Sequence, residues 1–157
     1  MRTASLHELK QEISTLPSAQ VLELCMRLAK YKKESKELLT YLLFEAHDED
    51  RYVDNVKNLI ETQFSEMNQH HVYLAKKTIR KVLRTANKYI NYSKNTKTEV
   101  ELRLYFCTKF KESGILSKNS LVLTNLYNNQ IAKIKTALTK LHEDLQSDYG
   151  EELNALL

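Results

Sequence analysis

Apolar residues recur at intervals of three and four over most of the chain, the spacing that gathers side chains on one face of an α-helix. Leu6, Leu9, Ile13 and Leu16 make the first series, behind a capping box of Ser5 and Glu8, and Pro17 stops it. Val21, Leu24, Cys25 and Leu28 mark the inward face of a second helix reaching Tyr31, with Pro17 in its first turn, so residues 5–31 are expected to form a helical hairpin. Ser35 is the expected cap of a third helix with Leu38, Leu39, Leu42 and Leu43 inward. Beyond the acidic break His47-Asp48-Glu49-Asp50, a fourth helix carries Tyr52, Val53, Val56, Leu59, Ile60, Phe64 and Met67.

A fifth helix is expected over about 71–93, with Val72, Ala75, Ile79, Val82, Leu83, Ala86 and Ile90 on one side. Thr96 and Glu99 read as a second capping box, opening a sixth helix with Leu104, Cys107 and Phe110 inward and Gly114 at its end. The seventh, about 119–146, repeats Tyr127, Ile131, Ile134, Leu138, Leu141 and Leu145 at spacings of 4, 3, 4, 3 and 4. Such a seam suits antiparallel neighbours within the chain or a coiled-coil partner. Cover from within the chain is expected, hence a monomer or weak homodimer.

Composition narrows the fold. There are two glycines, Gly114 and Gly150, and one proline, where average usage gives about 11 and about 8 in this length. Tight β-hairpin turns need Gly or Asn at positive φ, whereas helices joined by short polar loops need only Ser, Thr, Asn and Asp caps. The expectation is therefore all-α: one domain over residues 1–157, with about seven helices in antiparallel hairpins, packed as a bundle or a short α-α stack. The chain opens with charged residues, and its longest apolar run, 38–44, is interrupted by Thr40 and far short of the roughly 20 residues that span a bilayer. A cytoplasmic protein without a membrane segment is implied, with Cys25 and Cys107 as reduced thiols on buried faces.

Three stretches carry a family likeness: Leu9, Ile13 and Leu16-Pro17-Ser18 with Val21-Leu22-Glu23-Leu24; the central basic helix followed by Leu102 and Leu104-Tyr105-Phe106; and Tyr149-Gly150-Glu151-Glu152-Leu153. In these the chain resembles an uncharacterised bacterial family of small all-helical proteins, a domain of unknown function. The resemblance spans most of the chain and implies a helical fold and no reaction.

Motifs for common enzyme chemistry are missing. The two glycines stand alone, so no phosphate-cradling loop can form, and neither Gly-x-Ser-x-Gly nor Ser-x-x-Lys occurs. No Glu-x-x-His pair for a di-iron bundle is present either. Glu66, His70 and His71 could be drawn as a metal cluster, but a solvated helix end explains them more simply, as an exposed face of the seventh helix explains His142-Glu143-Asp144. No catalytic, cofactor or metal site is assigned, and a non-catalytic role is preferred over a small enzyme whose site is scattered across helices.

Charge is the feature above background. From Lys76 to Lys111 eleven basic residues meet only two acids, while residues 45–66 hold seven acids against Arg51 and Lys57, and 143–157 hold five acids and no Lys or Arg. On the fifth helix, Lys76, Lys77, Arg80, Lys81, Arg84 and Lys88 fall within an arc of about 140° opposite the apolar side, with Tyr73 and Tyr92 on or beside it. Such a stripe suits the chain's own acidic segments, an acidic protein surface, or nucleic acid, which would stack bases on the tyrosines, and as a merely solvated face it needs no partner at all. The favoured function is a helical scaffold or binding domain that docks an acidic protein on this face. The alternative is a nucleic-acid-binding protein using the same face, with weak affinity.

Overall fold

A computed structural model describes residues 1–157. The chain is 82% helical with no strand, as so few helix-breaking residues require. There are eight α-helices rather than seven: α1 (Leu6–Ser14), α2 (Ser18–Tyr31), α3 (Lys33–Thr40), α4 (Glu49–Ser65), α5 (Val72–Ser93), α6 (Thr96–Glu112), α7 (Leu121–Leu138) and α8 (Glu143–Leu156). A π-helical turn, Tyr41–Glu45, follows α3, and a 3-10 turn, Ile115–Lys118, precedes α7. The expected seventh helix breaks after Leu138, where His142 caps a new one by accepting the Asp144 N–H. His142-Glu143-Asp144 is thus the start of α8, exposed as expected but not part of a continuous helix.

Caps explain most boundaries. Ser5 and Glu8 form the expected capping box of α1, and Asp48 accepts the Arg51 N–H at the start of α4. Pro17 caps α2 from outside rather than sitting in its first turn. Ser35 lies inside α3, which begins after extended Lys32. At α6 the cap is Asn95, whose side chain accepts from the N–H groups of Lys97 and Thr98, so Thr96 is the first helical residue. Lys94 before it ends α5 in the left-handed region (φ 53°), and Gly114 (φ 70°) closes α6 as expected.

The contacts divide the chain into two compact units, Met1–Phe44 and Glu45–Leu157. In the larger unit α6 is the axis, packed against α4, α5, α7 and α8. Surrounded in this way, it buries Val100, Leu102, Leu104, Phe106, Cys107 and Phe110, far more than one stripe. An aromatic run crosses the core from Phe64 through Phe106 and Phe110 to Tyr127, with ring centroids 5.6–5.7 Å apart and tilted or edge-on geometry. Of the expected apolar faces of α4 and α5, Leu59, Phe64, Val72 and Leu83 are half-buried and the rest buried, and the α7 seam is buried at Tyr127, Ile131, Ile134 and Leu138.

The smaller unit contains α1 to α3 and behaves differently. Only Ala29 and Tyr41 are buried in it. Its tightest pair is α2 with α3, not α1 with α2, so the expected hairpin over 5–31 gives way to one over 18–40. Leu6, Leu9, Ile13, Leu24, Leu28, Leu38, Leu42 and Leu43, expected to face inward, are exposed. Cys25 is exposed with them, whereas Cys107 is buried. Forty-four residues are too few to enclose a core, so helical spacing alone does not bury these faces.

Candidate binding surfaces

The basic stripe lies along the outer side of α5, because the inner side is committed to α4 and α6 through Ala75, Ile79, Val82, Ala86 and Ile90. Lys77, Arg80, Lys81 and Arg84 are exposed, and Lys76 and Lys88 are half-buried. Lys81 pairs with Glu66 at 3.7 Å, both side chains more than half exposed. Lys77 Nζ stands 4.7 Å from the centre of the Tyr73 ring, which is 68% exposed. Lys88 sits 4.9 Å from the ring of Tyr89. Tyr92 is half-buried and packs edge-on against Tyr89, so it is a neighbour of the stripe rather than an open ring.

The cations of α6 have another fate. Lys97 bridges Asp50 (3.4 Å) and Glu101 (3.5 Å), and Lys109 pairs with Glu61 (2.9 Å) and Glu112 (3.4 Å). Lys57 reaches Glu101 at 3.6 Å, and Lys111 donates to the Ala155 carbonyl of α8. Tyr105 and Tyr149 donate their hydroxyls to Glu61 and Glu101. The Tyr105 bond first, then that from Lys109, holds the Glu61 carboxyl below the usual glutamate range. Burial first, then the Glu61 bond, pushes Tyr105 up to about 12. Asp50 and Glu61 of the acidic fourth helix are therefore occupied by α6, and Lys77, Arg80 and Arg84 of the α5 stripe stay exposed.

Arg103 was grouped by sequence with the basic excess, yet it is only 6% exposed. Its Nε donates to Glu99 (2.9 Å) and its Nη1 to Asn87 (2.9 Å) and Gln130 (2.7 Å), joining α5, α6 and α7. A charge-blind apolar spacing could have found it, since position 103 lies between Leu102 and Leu104 and three residues before Phe106, all buried.

Glu66, His70 and His71 do not gather, and no group of three or more His, Cys, Asp or Glu side chains stands close enough to hold a metal ion. No helix is long and apolar enough to cross a membrane. A second open surface belongs to the smaller unit, where α2, α3 and the π-helical turn line an apolar groove. No family model, curated protein or solved structure matches the chain.

Proposed function

We propose that this protein is a non-catalytic helical binding domain that docks an acidic protein surface on the outer face of α5. One observation carries the reading. Lys97, Arg103 and Lys109 of α6 are neutralised within the fold, whereas Lys76, Arg80 and Arg84 make no ion pair and Lys77 meets only an aromatic ring. From Lys76 to Lys88 the stripe runs about 18 Å, at 1.5 Å per residue. Like charges three and four apart on one helix cost a few tenths of a kcal/mol per pair. An opposing anionic surface relieves that repulsion and gains steering from it. A cytoplasmic setting belongs to the same reading, as both cysteines are free thiols.

Nucleic acid is the second reading, favoured by the linear array of cations. Stacking supports it less, since Lys77 covers one face of Tyr73 and Tyr92 is turned against Tyr89.

The test is a salt series on the full chain with two probes, a polyglutamate peptide and a duplex DNA. The fourfold variant Lys77→Gln, Arg80→Gln, Lys81→Gln, Arg84→Gln is expected to lose peptide binding and keep its melting temperature, because exposed changes usually alter stability by less than about 0.5 kcal/mol each. DNA affinity should be weak and vanish near physiological salt through counterion competition. DNA binding that persists at that salt and disappears in the variant would promote the second reading. Peptide binding unaffected by the four substitutions would reject the surface.

A further inference from the structure

In the smaller unit most of the large apolar side chains of α1 to α3 and the π-helical turn are exposed, the pattern of an interaction surface. Leu28, Leu43 and Phe44 are 65%, 62% and 66% exposed. Part of this surface is concave. Met26 of α2, Leu39 of α3, and Leu43 and Phe44 of the π-helical turn line a groove of about 620 Å³. The π-helical turn widens the chain at the end of α3 and contributes Leu43 and Phe44 to the groove's lining, and such turns are frequent at functional sites.

Four lysines, Lys30, Lys32, Lys33 and Lys36, line the same groove. Lys33 has a carboxylate near it, Glu37 at 3.7 Å, and remains 84% exposed. Lys32 lies 5.9 Å from the Tyr31 ring, and Lys30 and Lys36 make no ion pair. An apolar floor between two helices with a cationic edge is the complement of an amphipathic helix flanked by carboxylates, which inserts side chains at i, i+3, i+4 and i+7 between the ridges.

We propose that the α2–α3 groove is a docking site for such an acidic amphipathic helix of a partner protein. This is independent of the α5 surface, which lies in the other unit. A second copy of the chain fits the groove worse, because mutual burial would bring four lysines against four lysines. An anionic bilayer fits worse as well, because a lipid surface rests on protruding apolar residues and does not fill a groove.

Three labelled peptides of about 18 residues, five helical turns, test it on the full chain. They share one leucine spacing and differ in flanks of Glu, Lys or Gln. At about 0.15 M salt the Glu-flanked peptide should bind at least tenfold tighter than the Lys-flanked one. The triple variant Lys30→Glu, Lys33→Glu, Lys36→Glu should invert that order, and Leu43→Gln should weaken the Glu-flanked peptide about tenfold. Unchanged ellipticity at 222 nm certifies the variants. If the triple variant is misfolded, loss of the wild-type preference as salt is raised serves instead. Equal affinity for all three peptides, or none for any, overturns the proposal. So does a concentration-dependent dimer in sedimentation that Leu43→Gln dissolves, which assigns the groove to a second copy. Binding to phosphatidylserine vesicles without peptide binding assigns it to a membrane.

Discussion

Replacing Arg103 by alanine removes one guanidinium from the junction of α5, α6 and α7. Three hydrogen bonds go, to Glu99, Asn87 and Gln130. Gln130 is only 2% exposed, so its carbonyl oxygen loses its donor where water cannot replace it, at a cost of about 1–3 kcal/mol. Breaking a buried ion pair from one side costs about 3–5 kcal/mol. Here the Glu99 side chain is 31% exposed against 8% for Arg103, so the carboxylate regains water and the lower end applies. The expected loss is about 3 kcal/mol, with a fall in melting temperature of roughly 10 °C for a unit of this size. Urea titration followed by circular dichroism should show a lower midpoint at unchanged slope. Arg103→Met with Gln130→Leu should recover most of the loss, since apolar groups of similar volume replace a buried polar pair at little cost. A loss below about 1 kcal/mol for Arg103→Ala, or a double variant no better than the single one, would refute the view that this network clamps the three helices.

The two thiols should separate cleanly under native conditions. Exposed Cys25 is expected to take one maleimide rapidly, while Cys107, buried and pushed up to about 12 by desolvation, stays unlabelled until the protein unfolds; rapid double labelling by mass spectrometry would contradict this. Alkaline pH should unfold the larger unit. Burial raises Tyr105 and Tyr127 from 10.0 to about 12 and raises Tyr149 as well, aided by its bond to Glu101. A raised folded value means stability that is fully present below pH 10 and lost as pH climbs toward 12. Phenolate absorbance from Tyr105, Tyr127 and Tyr149 should therefore appear together with loss of helix.

Much of this fold was legible in local order. Scarce glycine and proline leave helices as the main element, Ser5 with Glu8 and Asp48 announce two helix starts, and the stripes of α4, α5 and α7 point inward as their spacing requires. Those are statements about neighbours three or four residues away, the range in which side chain and backbone set helix ends and faces. Cover is a different quantity. Leu9 and Ile13 have the same periodicity as Val53 and Val56, yet the first pair is exposed and the second buried, because only α4 has α5 and α6 beside it. The same separation applies to charge. Lys77 and Lys109 belong to one basic run in the sequence, but Glu61, 48 residues before Lys109, neutralises the latter, while Lys77 meets only the ring of Tyr73 on its own helix. Spacing therefore determined which residues share a face. Only the packing of α6 among four helices decided which faces water still reaches, since burial depends on elements distant in sequence and brought together by the whole core.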